Sequence, residues 1–346
     1  MKKLSFLAVA TLLTVLLLAA CGSSETETET EGEEGGETEE PSVSTGESFV
    51  LQAGHSLPED HPYELALQQM AENVAERTNG QVTIETFPNS QIGAERELTE
   101  GLTLGTVDLV ISSTAPISNF VPELKVLDLP FLFNDRDSAV AVLEGEIGEE
   151  LFASFEAHGI VPLSWGENGF RHITNSLHPV NEPADLDGLR IRTQENEVHM
   201  AAFEALGARP SPMAWTEALT ALQQGVVDGQ ENPAIVADQF NLFEAKQAYM
   251  TLTGHVYSAN VFMLSKDAYD KLPEDLRAIV IEEGQKAGPY QRELIVEMEQ
   301  VSLQTLKDQG MEIIEDVDVE PFRAGITSVF DNFENQELLQ RILDAQ

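Results

Sequence analysis

The chain has 346 residues, one cysteine and a formal charge of −41. A single Cys forms no internal disulfide, and so strong an acidic excess opposes binding to nucleic acid, whose phosphates need a basic surface. The seven histidines (55, 61, 158, 172, 178, 199 and 255) show no close zinc-ligand spacing, and there is no HExxH, GxSxG, P-loop or GxGxxG motif.

Lys2 and Lys3 precede an apolar run from Leu4 to Ala20, which is short for a membrane-spanning helix. The run ends in Leu18-Ala19-Ala20-Cys21 followed by Gly22 and Ser23, a pattern that resembles a bacterial lipoprotein cleavage box. Residues 1–21 are therefore expected to be a signal peptide with Cys21 as the lipidation site. Such a lipid carries at least two acyl chains, enough for stable anchoring. The protein is accordingly expected on the outer face of the cell membrane or in the periplasm. Residues 22–47 hold ten Glu with no Lys, Arg or aromatic residue, the composition of an extended, disordered acidic tether.

Residues 48–346 carry 50 acidic against 17 basic side chains, a net charge of about −33. This suggests a high-salt habitat, in which self-repulsion is screened. Strand and helix signals alternate from here. Ser48 to Ala53 reads as a strand; a helix follows from Pro62 to Asn79-Gly80; Gln81 to Phe87 is a strand; Glu97 to Leu104 is a helix; and Asp108 to Ile111 is a strand. This order predicts an α/β fold with parallel strands covered by helices.

An internal echo appears 120 residues apart. Glu97 to Asp108 aligns with Glu217 to Asp228 at five of twelve positions, each with a helix ending on Gly (Gly105, Gly225) and Val-Asp leading onward. It suggests two similar lobes. Pro273-Glu274-Asp275 opens a long helix that runs to about Leu306, with Gly284 and Gly288 as expected bends; Met311 to Ile314 reads as a strand and the chain from Glu320 as two closing helices.

The densest information lies between Glu167 and Pro233. Asp185-Leu-Asp-Gly-Leu-Arg-Ile-Arg192, Pro212-Met-Ala-Trp-Thr-Glu217 and Val227-Asp-Gly-Gln-Glu-Asn-Pro233 resemble, in that order, the solute receptors of tripartite ATP-independent periplasmic (TRAP) transporters, the DctP-type family. Asn89-Ser-Gln-Ile-Gly93 and Leu127-Asp-Leu-Pro-Phe131 are similar too, and the resemblance covers about Phe49 to Gly310. It implies a two-lobed periplasmic-binding-protein-like fold with a ligand cleft between lobes and a long helix spanning both, lobe I at about 48–168 and 258–297 and lobe II at about 169–257 and 298–346. It also implies a monomeric receptor without catalysis or cofactor. Such a receptor closes on a small organic acid, a dicarboxylate or sugar acid for example, and hands it to the small and large permease subunits for ion-gradient-driven uptake.

By the same resemblance Arg192 forms a salt bridge to the ligand carboxylate, Arg171 lies beside it, Asn232 hydrogen-bonds the same end and Trp215 lines the cleft. His55 and Ser113 or Thr114 are the first-lobe candidates. The residues themselves support Arg192. In Leu189-Arg-Ile-Arg-Thr193 both arginines point to one face, Arg192 is nearer the carboxyl end where open α/β sheets bind ligands, and a guanidinium fork matches a carboxylate. Alternatives are a sensory receptor of the same fold or an extracellular hydrolase using a pair of scattered acids.

Overall fold

The computed structural model describes residues 47–346; Cys21 and residues 22–46 of the acidic tether lie outside the described residues. Among the described residues nine strands form one sheet: β1 Phe49–Gly54, β2 Val82–Phe87, β3 Leu109–Ser113, β4 Ile160–Asn175, β5 Arg190–Thr193, β6 Arg209–Pro212, β7 Gly229–Asn232, β8 Tyr249–Ser265 and β9 Glu312–Ile314. The sheet order is β2-β1-β3-β8-β4-β7-β5-β6, with β9 joined to β8. β1, β2 and β3 are parallel to one another, as are β5, β6 and β7. The two parallel halves are tied by the long antiparallel pair β4 and β8, 16 and 17 residues in length. Beside β3, β8 takes the inner place; beside β7, β4 takes it.

The expected elements form with ends displaced by a residue or two: helices Pro62–Arg77 and Glu95–Leu104 cover the first half, and Trp215–Gln224 covers the second. The internal echo is structural. Gly105 and Gly225 close their helices with φ of +67° and +69°, a left-handed conformation that costs glycine little. Asp108 Oδ2 then accepts from Gln52 N at 2.8 Å, and Asp228 Oδ2 accepts from Arg190 N at 2.9 Å. Each Asp thus locks the same neighbouring strand in its own half.

The helix Glu274–Gln309 lies against both halves, packing on Pro62–Arg77, on β4 and on Ala234–Gln239. Gly284 and Gly288 lie where this helix meets β4. They let β4 approach: a Cβ on Gly288 would sit 2.2 Å from Trp165 O and one on Gly284 2.5 Å from Leu163 Cδ1. Ser164 Oγ donates to Gly284 O at 2.6 Å and accepts from Gly288 N at 3.1 Å. Those two backbone groups would pair in a regular helix, so the hydroxyl enters the ladder one residue before Pro289.

The C-terminal segment corrects the expected lobe division. Three short helices follow, Glu320–Gly325, Thr327–Asp331 and Gln336–Asp344. Phe322 joins the core around Ile173 and Ile191 in the second half. The last helix, assigned with 298–346 to lobe II, instead buries Leu338, Leu339 and Ile342 with Ile147, Leu151 and Phe155. Arg341 also pairs with Glu150 at 2.7 Å, and Gln346 Nε2 donates to Leu132 O at 2.8 Å. Its apolar stripe shares a core with first-half helices, and Val198 of the second half belongs to the same cluster. No helix among the described residues is long and apolar enough to cross a membrane.

Candidate functional site

The carboxyl ends of β1, β5 and β7 and the middle of β4 converge on two small adjoining cavities. Glu95, Arg192, Gln194 and Trp215 line both; Asn168 and Asn232 line the second. Arg190 and Arg192 share a face of β5, and position along the strand separates them. Arg190 is exposed and paired with Asp228 at 2.5 Å, whereas Arg192 is 2% exposed. One edge of the Arg192 guanidinium is already used: Nε and Nη2 donate to Met213 O at 3.0 and 2.7 Å. Its Cζ stands 5.3 Å from the Trp215 ring centre, a cation–π contact that fixes the plane of the fork. Burial lowers its pKa to about 10, opposed by Glu231, so it remains a cation at neutral pH.

Trp215 serves cavity and core together. It is 8% exposed and packs edge-on against Phe240 at 5.0 Å, while its Nε1 is buried with no partner among the described residues. Asn232 Nδ2 donates to Gln230 Oε1 at 2.6 Å, which orients its amide on the cavity wall.

Arg171 is fully buried and does not itself line either cavity. Its Nε donates to Glu231 Oε2 and its Nη2 to Glu231 Oε1 and Glu231 O at 2.8 and 2.6 Å. Nη1 is buried with no partner among the described residues. Burial works against the Glu231 charge, but Arg171 and His255 hold its carboxyl well below the usual carboxylate range. Sequence reasoning missed Glu231, although it lies in the Gln-Glu-Asn-Pro motif. His199 and His172 flank this pair, their pKa values lowered to about 3, chiefly by burial.

Two first-half candidates are paired internally. His55 is fully buried, with Nε2 at 2.8 Å from Glu64 Oε2 and Nδ1 accepting from Leu57 N at 3.2 Å. Thr114 Oγ1 donates to Asp128 Oδ1 at 2.7 Å. Both side chains are committed to internal partners and neither lines the cavities. Their neighbours Ser56 and Leu57 do, together with Glu95. Asn168 was also missed. Pairing of β4 with β8 shifts register between Glu167 and Gly169, a bulge that carries Asn168 into the cavity. Asn168-Gly169 inside an apolar strand was the available signal.

The chain beyond β5 joins the two halves of the sheet. Gln194 Nε2 donates to Ser113 Oγ at 2.8 Å. Asn196 caps helix Glu197–Ala205 through Oδ1, while its Nδ2 donates to Asp128 Oδ2 at 2.7 Å and to Ser118 Oγ at 3.1 Å. These bonds cross the mouth beside Arg192, so the small cavity belongs to a closed cleft.

The family model for bacterial extracellular solute-binding protein, family 7 (DctP) matches residues 53–337. The chain belongs to this family. Among relatives, the 2,3-diketo-L-gulonate-binding periplasmic protein YiaO of Escherichia coli is 35% identical over 81% of this chain and 85% of its own. The C4-dicarboxylate-binding periplasmic protein DctP of Rhodobacter capsulatus is 34% identical over 76% of this chain and 79% of its own. A TRAP periplasmic solute-binding protein from Polaromonas sp. JS666, solved with D-erythronate, superposes with a TM-score of 0.82 at 40% identity, covering 86% of this chain and 98% of that one. The receptor therefore has the two-lobed fold of TRAP solute-binding proteins, with its cleft between the lobes and the helix Glu274–Gln309 spanning them. It is an extracytoplasmic solute receptor of a TRAP transporter, in a family of binding proteins that serve a membrane permease.

Proposed function

We propose that the receptor closes on one small organic acid, holds its carboxylate with Arg192 and Asn232 against Trp215, with Arg171 close by, and releases it unaltered to the small and large permease subunits for ion-gradient-driven uptake. The observation that carries this is Arg192: a buried cation with one edge on Met213 O and its Nη1 end left to a cavity. A desolvated guanidinium needs an anion, and each charge-assisted hydrogen bond contributes about 1.5–3 kcal/mol. Arg171, paired with Glu231 and off the cavity wall, supports the site through its charge. With the described domain strongly acidic, these two guanidinium groups focus the positive potential that admits an anion.

In this reading the receptor works as a monomer, lipidated on Cys21 and tethered through residues 22–47. The lobes divide near the bulge at Asn168 on β4 and near Ser258 on β8, with the last helix returned to lobe I. A thermal-shift screen of organic acids, followed by calorimetry on the best, tests it. Arg192→Ala is expected to weaken that acid at least 100-fold while circular dichroism stays native. Wild-type affinity in the variant overturns the carboxylate site. Metabolic labelling with palmitate should mark wild-type protein and not Cys21→Ala; equal labelling overturns the anchor.

A further inference from the structure

We infer that the receptor carries a second binding site, separate from the cleft, which takes an aromatic anion and is linked to closure. An open cavity of about 710 Å³ has no lining residue in common with the two cleft cavities. Its size is that of a small-molecule site. Both halves of the molecule build it. Phe133 and Arg136 come from the first half, where Phe133 and the helix Arg136–Leu143 join the core. His172, paired with β7, and Arg323, next to the buried Phe322, come from the second. Val296 of the helix Glu274–Gln309 completes the wall and is 48% exposed. The rings of Phe131 and Phe170 are only partly buried there. Phe131 has φ of +58°, uncommon for so bulky a residue, and its N donates to His255 O at 2.6 Å. Its ring centre stands 5.3 Å from Arg323 Cζ, a cation–π contact.

The unused polar groups of this wall are donors. Arg323 Nε is buried with no partner among the described residues, and the Glu320 carboxylate stands off at 3.6 Å. His172 is 7% exposed, and its Nδ1 accepts from Gly254 N at 3.0 Å. Burial keeps the ring neutral, so Nε2 carries the proton, and it has no partner among the described residues. The other charges on the wall are engaged or wet. Arg136 Nε donates to both Glu167 oxygens at 2.9 Å and its Nη2 to Glu299 Oε2 at 3.0 Å. Asp135 Oδ1 accepts from Ser138 N as a helix cap, and Asp137 is exposed to solvent. A carboxylate or sulfonate on an aromatic ring meets both demands: it accepts from the guanidinium and the imidazole, and its ring covers the phenylalanines. An uncharged ring leaves the donors unpaired, and a cation meets Arg323. An occupant touching both halves favours the closed arrangement seen here. Binding there and binding in the cleft then strengthen each other by the same factor.

Fluorescence titration of the full receptor with 8-anilinonaphthalene-1-sulfonate tests this, against N-phenyl-1-naphthylamine, which has the same rings without the sulfonate. The sulfonate should bind one to one and at least 10-fold more tightly than the amine. Arg323→Gln should weaken the sulfonate at least 10-fold and leave the amine unchanged. Val296→Trp, which fills the cavity from an exposed helix position, should abolish binding of the sulfonate, and Arg192→Ala in the cleft should not alter it. Saturating sulfonate should tighten binding of the organic acid found in the thermal-shift screen at least threefold by calorimetry. No binding of the sulfonate, equal affinity for the two probes, binding that survives Arg323→Gln or Val296→Trp, or binding lost in Arg192→Ala overturns the site. An unchanged affinity for the organic acid overturns the link to closure and leaves the site standing.

Discussion

At the scale of single residues, the site is organised by which polar atoms the protein leaves unpaired. Asn232 is oriented by Gln230, so Asn232→Ala removes one ligand hydrogen bond and little else. A loss of about 0.5–1.5 kcal/mol, up to roughly tenfold in Kd, is expected by calorimetry, well short of the effect at Arg192. Glu231 is a different case. It balances Arg171 in a place where neither is exposed. Glu231→Gln strands a buried guanidinium, and urea denaturation should show a loss of about 3–5 kcal/mol. Much of this site was legible before the fold was known. Strand alternation and position at a carboxyl end singled out Arg192, and the Gln-Glu-Asn-Pro motif located Asn232. His55 and Thr114 misled because sequence shows a polar residue at a strand end without showing whether a neighbour has already claimed it. Glu64 and Asp128 had done so. Asn168 was hidden for the converse reason: a buried oxygen without a partner is a property of three-dimensional pairing and not of pattern.

At the scale of elements, glycine carries more than one signal. Gly284 and Gly288 suggest bends, because a glycine inside a helical pattern weakens it by about 1 kcal/mol relative to alanine. Both also allow close packing on β4. Gly288→Ala therefore gains helix propensity and loses the contact, since its Cβ would fall 2.2 Å from the Trp165 carbonyl oxygen. The contact dominates: backbone on both sides cannot yield cheaply, and a net destabilisation of about 2 kcal/mol or more is expected in chemical denaturation. The same substitution at a solvent-facing helix glycine would stabilise. The echo between 97–108 and 217–228, by contrast, was readable as sequence because each half needs the same two devices, a left-handed glycine and an aspartate that clamps the next strand. The last helix was misassigned because an amphipathic stripe says that a face is buried but not against what.

At the scale of the whole molecule, closure is held by a buried acid. Asp128 joins Thr114 on one oxygen and Asn196 on the other. Burial raises its pKa to about 7; the hydrogen bonds from Thr114 and Asn196 and the charge of Arg171 oppose this, and Glu231 reinforces it. An acid with a raised pKa binds its proton more tightly in the folded, closed state than in the unfolded chain. Asp128 therefore favours that state as pH falls from about 7 toward 4, and the advantage is lost as pH rises through about 7. The melting temperature of wild type should exceed its pH 8 value at pH 5.5 by more than that of Asp128→Asn does; equal pH responses would remove Asp128 from the account. The acidic surface adds a second dependence. With about −33 charges on residues 48–346, the melting temperature should climb between about 0.1 and 2 M salt, and a flat response would rule out adaptation to brine.

The strand order sets a timetable for folding as well as a hinge. Within each half, parallel strands are joined through one helix by short stretches of chain, so either half can assemble from near neighbours. β4 and β8 are joined only after the β5–β7 region has been threaded between them, with Ile160 meeting Ser265 across 105 residues. Pairings so distant in sequence are slow to form, because loop closure must precede the contacts that reward it. The β4–β8 pairing is therefore expected to form last during folding. A chain halted before it would present two locally ordered halves with unsatisfied inner edges, open to proteolysis and to pairing with another copy.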